Sequence, residues 1–490
     1  MALAPAHYPF LYVFCRFLMS PKLAGNMPLS GRFWLVVCYL TIVFLLGGSA
    51  RDDIATLVIL RPLAIAAIAY ALVVITTDNI RQFPVQLGLF LVLILLVTLH
   101  LLPLPPSVWQ SLPHRELIFQ IDVAAGIDPQ WRPLSIAPER TWNAFYALLV
   151  PLSVMLLVCS LKREERFIML PVIICLGALS GILGLAQIGG GPQSPLYYYR
   201  ISNTDSAIGF LANRNHQGVF LATLFPMLAV YASLEDRGGT SRKLRTIASL
   251  AMAVILIPLI LVTGSRAGLV FGAIGLLSIP FLYRAPRSET VKRRSADNRV
   301  SLILIVAAAA SALLLVLAGL IFSRAEALER LLGGVDADFR WEIWQPSMQI
   351  AMQYFPTGSG IGTFVEAFQR DEPVATLAPT YVNHAHNDWL ELLLTGGIPS
   401  VILAAIAAWV WLHTSVRVWV SKIDSREISY ARMASVILVI LAGSSFVDYP
   451  LRTPLLGCVL AIVTLWMRPA SLFRTTRQSF AKSGNTVSKS

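Results

Sequence analysis

The chain has 490 residues, of which 56% are hydrophobic and only 13% charged, and its mean hydropathy is +0.67. The cores of a soluble chain of this length need far less apolar surface, so a soluble or disordered protein is excluded and an integral membrane protein is expected. The formal net charge of +12 reads as membrane topology and attraction to an anionic inner leaflet, and nucleic acid is not implied.

A helix needs about 20 mostly apolar residues to cross the hydrocarbon layer, and about twelve such stretches are predicted. Residues 1–32 form a cytoplasmic N-terminal segment with no cleavable signal expected, because Arg16 interrupts its apolar run. The region 33–322 carries nine spans, at 33–49, 54–76, 85–102, 142–161, 167–188, 217–234, 246–262, 267–282 and 300–322. A large outer loop at 323–388 follows, then spans at 389–412, 433–446 and 454–467 and a basic cytoplasmic tail at 468–490. The fold class is therefore an all-α integral membrane protein whose large outer loop carries short helices.

Short basic loops stay in the cytoplasm. Twelve spans with the N-terminus inside put the basic loops 162–166, 237–245, 284–299 and 417–432 on one side, together with the tail. All the lysines (Lys22, Lys162, Lys243, Lys292, Lys422, Lys482, Lys489) then lie inside, and an odd number of spans would destroy the pattern. The five cysteines, Cys15, Cys38, Cys159, Cys175 and Cys458, fall in spans or near the inner side, so neither a disulfide framework nor a thiolate metal site is expected.

The outer face receives three sizeable segments, 103–141, 189–216 and 323–388, and loops of that length are usually functional. In the last, Trp341, Trp344, Met348, Met352 and Phe355 recur at helical spacing. They predict an interfacial amphipathic helix, started or kinked by Pro346, or equally a helix packed against other spans. The basic residues left outside or at membrane depth are all arginines. A guanidinium is always charged and offers a planar fork suited to phosphate, which an ammonium does not.

Within Thr263-Gly264-Ser265-Arg266-Ala267-Gly268, Arg266 occupies a very short turn between two apolar spans. A charge at that depth normally faces a polar cavity or a partner, and the adjoining helix N-terminus favours anions. Arg340 precedes Trp341 and is followed by Phe355-Pro356-Thr357-Gly358-Ser359-Gly360-Ile361-Gly362, where glycines allow close backbone approach to a ligand. The run His384-Ala385-His386-Asn387-Asp388-Trp389-Leu390-Glu391 places His386 at the N-terminal end of the tenth span, with Asn387 or Asp388 as cap. A neutral imidazole there can act as a general base.

These landmarks, with Gly209-Phe210-Leu211-Ala212-Asn213-Arg214-Asn215-His216, the Leu102-Pro103-Leu104-Pro105 turn and Gly396-Gly397-Ile398-Pro399, resemble the O-antigen ligase and polymerase family of bacterial envelope polysaccharide synthesis. Order and rough spacing agree from the third span to the tenth. The resemblance implies a GT-C-like fold in the bacterial inner membrane and an inverting, metal-independent transfer with no cofactor. A preassembled glycan would move from undecaprenyl diphosphate to lipid A core or to another growing glycan on the periplasmic face. It further implies that Arg266 and Arg340 bind the diphosphate and that His386 activates or orients the acceptor hydroxyl. Arg214 and His216 would line the substrate cavity. From the residues themselves, His384, Asn387 and Asp388 of the His386 run are further substrate-binding candidates, and Arg61 in the second span lines the same cavity or snorkels outward.

Two rival readings remain from the residues alone. Asp52-Asp53 and Asp336-Ala337-Asp338 are the short acidic pairs of a metal-dependent polyprenyl-phosphate-sugar transferase, which a chelator would inhibit. Arg61, Asp448 and Arg452 could be buried ion-pair partners in a transporter or flippase without chemistry. The topology itself is checked by reporter fusions. A reporter after Arg294 should read cytoplasm and one inserted near Leu377 the opposite side; the same side for both would overturn it.

Overall fold

The computed structural model describes residues 29–234, 239–284, 335–374, 377 and 381–468, and these fall into two compact units. One draws on Met1–Leu45 and Ser160–Arg324, the other on Leu46–Cys159 and Ala325–Ser490. Nearly all the regular structure is helical, which bears out the all-α membrane fold. Among the described residues six helices are long and apolar enough to cross a membrane, and four shorter apolar helices accompany them. The predicted span at 300–322 lies outside the described residues.

The first unit contains α1 (Gly31–Leu46), and after the second unit's α2 (Leu57–Val74), α3 (Thr77–Gln82), α4 (Pro84–Leu99), α5 (Pro106–Trp109), α6 (Glu116–Ala124) and α7 (Pro138–Ser160) it resumes with α8 (Arg163–Gly189), α9 (Arg214–Ser233), α10 (Gly239–Val262) and α11 (Arg266–Leu282). Helix α9 is its axis, for every residue from His216 to Ala232 is buried. A helix apolar on all sides must be surrounded, and α9 packs on α11, α10 and α8. Its approach to α11 is backbone on backbone: a Cβ added to Gly268 would lie 2.8 Å from the Cα of Gly218, and one on Gly275 2.6 Å from the carbonyl of Ala222. Small residues at such spacing allow close crossing where lipid gives helices no hydrophobic reason to associate.

The second unit continues with α12 (Val335–Gln353), α13 (Phe364–Arg370), α14 (Asp388–Val420), α15 (Arg426–Ser444), a 3-10 turn (Pro450–Arg452) and α16 (Pro454–Trp466). Two short strands, β1 (Pro103–Leu104) and β2 (Arg132–Pro133), pair antiparallel within the 103–141 segment. Pro346 lies inside α12 and does not start it. Helix α14 runs to Val420, beyond the expected end at 412, and α15 begins at Arg426 where 433 was expected. The buried Arg432 explains both differences. Its guanidinium donates to the carbonyls of Val418 (2.9 Å) and Ser421 (2.8 Å), satisfying the end of α14 while sitting within α15.

The alternating glycines receive a different role from the expected ligand contact. Helix α14 breaks at Gly397, whose φ is +58°, and Pro399 has no N–H to give the carbonyl of Thr395. Gly360 N–H reaches that oxygen instead at 2.8 Å, Ser359 N–H takes the carbonyl of Leu394 at 3.0 Å, and Ile398 N–H donates to Pro356 O at 2.9 Å. A Cβ on Gly358 would sit 2.6 Å from the Thr395 oxygen. The ligand of these glycines is thus the open backbone of α14.

Candidate active site

The segment preceding α14 is fixed from its backbone outward. Of the two expected caps, Asn387 is the N-cap, its side chain accepting from the N–H groups of Trp389 and Leu390, each at 3.1 Å. The Asp388 N–H donates to Ser445 O at 2.8 Å. His386, just before the cap, has a φ of +49°, a left-handed conformation that costs a residue with a Cβ about 1–2 kcal/mol. It therefore persists only because its neighbours over-determine it.

In that conformation His386 Nδ1 lies 3.5 Å from Asp448 Oδ1, a carboxylate that is 2% exposed. The same oxygen accepts the Tyr449 N–H at 3.0 Å. The Tyr449 ring stands edge-on to His386 at 5.0 Å and tilted against His384 at 4.3 Å. Burial and the neighbouring Asp448 push the Tyr449 phenol well above its ordinary pKa, so it stays neutral near pH 7. With Nδ1 turned to Asp448, Nε2 is the imidazole atom left to meet a substrate proton.

Arg452 clamps the first turn of α14 from the opposite side. Its Nε is 2.7 Å from Asp388 Oδ1 and its Nη1 2.9 Å from Glu391 Oε1. Glu391, 1% exposed, also accepts the Ala385 N–H at 3.1 Å and faces His384 Nδ1 at 3.2 Å. Burial alone would depress the Arg452 guanidinium, but Glu391 and Asp388 more than offset it and hold its pKa above the ordinary value. Arg452 and Asp448 thus belong to the surroundings of His386, and the buried ion-pair partners of Arg452 are Asp388 and Glu391. Arg61 bonds Asn143 and lies over the Tyr146 ring at 5.8 Å.

The remaining expected residues are placed as follows. Arg340 lies half-buried on α12, and α12 shares a hydrophobic core with the His386 segment: Ile343, Ile350, Tyr354, Phe364, Ala385 and Leu394 all belong to it. Asp52 pairs with Arg140 and Asp53 with Arg51, so the carboxylates of that acidic pair are each matched by an arginine. The side chains of Asp336 and Asp338 lie outside the described residues.

In the first unit the motif 209–216 and the turn 263–268 form one cluster. Gln187 receives the Gly209 N–H (2.8 Å) and donates to its carbonyl (2.9 Å), while Ser180 Oγ accepts the Phe210 N–H (3.1 Å). These bonds tie the motif to α8. Arg214 and Arg266 are the first residues of α9 and α11, capped by Asn213 and Ser265. The hydroxyl of Ser265 donates to Asn215 Oδ1 at 2.8 Å, so Arg214, the buried His216 and Arg266 open two helices side by side.

The chain alone offered Asp448 and Arg452 only as candidate buried ion-pair partners of a transporter reading, and it missed their placement beside the His384–Glu391 run. The signal that could have found it is Asp448-Tyr449-Pro450-Leu451-Arg452, two opposite charges in the short connection between the last two spans. The clamp gives a stability prediction. Arg452→Met should destabilise the detergent-purified protein by about 3 kcal/mol, because Glu391 is left buried without a counter-charge. Adding Glu391→Leu should recover part of that loss in thermal unfolding. A double variant less stable than the single one would contradict the clamp.

No curated protein matches the chain. A family model described as O-antigen ligase matches residues 251–405, a stretch that contains Arg266, Arg340 and the His384–Glu391 run and leaves out Arg61, Arg214, His216, Asp448 and Arg452. That match bears out the resemblance of this chain to the O-antigen ligase and polymerase family.

Proposed function

We propose that this protein is a glycosyltransferase of the O-antigen ligase and polymerase type. It acts on the periplasmic face of the bacterial inner membrane and moves a preassembled glycan from undecaprenyl diphosphate to a hydroxyl of lipid A core or of another glycan. The observation that carries the reading is His386, held left-handed at the head of α14 with Nδ1 towards the buried Asp448. Such strain at a residue with acid–base capacity, within the segment matched by the family model, fits a general base.

In the reaction the acceptor hydroxyl gives its proton to His386 Nε2 as its oxygen bonds the anomeric carbon. The bond from that carbon to the diphosphate oxygen breaks, and attack from the opposite face inverts the configuration. The departing polyprenyl diphosphate takes the electron pair and needs no proton. Asp448 holds the imidazole in the tautomer that leaves Nε2 unprotonated and stabilises the imidazolium that forms, as the acid of a catalytic triad does. Arg340, and Arg266 by its own contact, meet the developing phosphate charge with guanidinium groups where other transferases use a metal.

His386→Ala should lower turnover by roughly 10²-fold or more while affinity for the donor lipid changes little. Asp448→Asn should cost less, and the double variant should be no worse than His386→Ala alone, since the aspartate works through the histidine. Additive losses would remove Asp448 from this role, and a loss of donor affinity that accounts for the lost turnover would reassign His386 to donor binding.

The arginines are tested by a conservative change. Arg266→Lys and Arg340→Lys should each be nearly as damaging as the alanine variants, because the fork is needed as well as the charge. Lysine variants that insert normally and keep most of their activity would rule out diphosphate binding by these side chains.

A further inference from the structure

Arg115 breaks two local rules at once. It stands at the N-cap of α6, where a side chain normally accepts a hydrogen bond from the first helical N–H groups, yet a guanidinium has no acceptor to offer and makes no cap there. Its positive charge also sits at the positive end of the helix, where an anion belongs. The preceding His114 is held left-handed with a φ of +61°, and among the described residues only it and His386 adopt that conformation without being glycine. Local rules fail together in this way chiefly where a site uses the conflict.

The guanidinium is buried without a counter-charge. Arg115 is 2% exposed, and among the described residues it forms no ion pair. Its Nη2 donates to the Leu134 carbonyl at 2.6 Å and the group lies over the Tyr354 ring at 5.4 Å, while Nη1, shut off from water, finds no acceptor. Glu116 attracts it only from the exposed surface, and a second guanidinium, Arg370, is near enough to repel it. Burial above all, with Arg370 adding to it, lowers the Arg115 pKa to about 10, so the group keeps its charge at pH 7. Arg370 Nη1 donates to the His114 carbonyl at 3.0 Å. The carboxylate beside Arg370, Asp371 at 3.9 Å, is taken by His114 Nε2 at 2.9 Å. The buried Tyr354 hydroxyl has no acceptor for its proton among the described residues. A staple between loops explains the bonds to Leu134 and His114, and water could satisfy the idle donors, but neither balances the charge. A buried cation is normally paired, as Arg452 is by two carboxylates.

We infer that Arg115, Arg370 and Tyr354 form a second anion site, built from none of the residues assigned above, that takes a single oxyanion group, a phosphate or a carboxylate. Arg115 Nη1 and the Tyr354 hydroxyl are its buried floor. Arg370 and His114, 21% and 19% exposed, are the rim by which the group enters, and two guanidiniums around one oxyanion give the charge-assisted hydrogen bonds that such groups accept best. The residues belong to the 103–141 and 323–388 segments expected on the outer face, and Tyr354 shares its hydrophobic core with Ala385, next to His386. An acidic group on a glycan and a free inorganic anion are the two sources of this chemistry. The site stands without the transferase reading; only the glycan as its source rests on that reading.

The test follows thermal unfolding of the detergent-purified full chain with inorganic phosphate as the probe, at constant ionic strength. Phosphate should raise the unfolding temperature by roughly 2 °C or more and saturate. Arg370→Gln should shift that response to phosphate concentrations roughly tenfold higher or more. Arg115→Met, which puts an apolar chain in place of the buried charge, should abolish the response and be no less stable than the unmodified protein in phosphate-free buffer. A destabilised or unfolded Arg115→Met together with an unchanged response in Arg370→Gln would make Arg115 a structural staple only and overturn the site. So would a response that survives both changes, or one lost instead in Arg266→Gln/Arg340→Gln, which would place the phosphate at the proposed diphosphate arginines. Competition with phosphate by a uronate-bearing oligosaccharide, and not by its neutral counterpart, would support the site and assign it to the glycan. A phosphate response that neither oligosaccharide disturbs would support it as a site for a free anion. Glycan transfer is read in none of these arms, so the site and the transferase reading fail separately.

Discussion

The second unit depends on one constraint, that the backbone of α14 cannot leave polar groups unsatisfied where it breaks. Gly397 departs from helical geometry and Pro399 removes a donor, which would leave the carbonyls of Leu394 and Thr395 bare, each at a cost of several kcal/mol in an apolar setting. The N–H groups of Ser359 and Gly360 satisfy them. The glycines at 358, 360 and 362 all have positive φ, and a side chain at 358 would strike the Thr395 oxygen. Repair of the break therefore dictates where the chain between α12 and α13 runs, and through their common core it anchors the segment that carries His386.

On that scaffold the electrostatics turn on two buried carboxylates, Asp448 beside His386 and Glu391 in α14. Glu391 is removed from water one turn into α14, a position that an isolated charge could not hold. Arg452, the Ala385 N–H and His384 together make it tenable. Such a buried network adds less to net stability than its close distances imply, because desolvation consumes much of the attraction. Its contribution is geometric. It immobilises the backbone on both sides of His386, and that rigidity lets the residue keep a conformation it would not choose alone.

The first unit solves a different packing problem. Helix α9 is enclosed on every side, and only glycine-on-glycine contact lets α11 approach it closely. The crossing places the first turns of both helices next to each other, tied by Ser265 and Asn215. Two helix N-termini and two arginines then share one neighbourhood, where partial positive charges from the backbone add to those of the side chains. The segment 189–216, which holds arginines and no lysine, has its structural counterpart there.

The sequence by itself determined the class of the protein, the approximate spans and a cap at Asn387 or Asp388, because hydropathy and capping are written in local runs of residues. Helices at 163–189, 214–233 and 266–282 follow the predicted spans closely for that reason. Only the tertiary structure decided that the alternating glycines serve α14, that Asp448 faces His386, and that Arg452 pairs with Asp388 and Glu391. Those partners lie 35 to 64 residues apart in the chain, and no local pattern encodes which distant carbonyl or carboxylate an N–H or a guanidinium will meet. That is settled when the helices pack and every buried polar group has to find a partner.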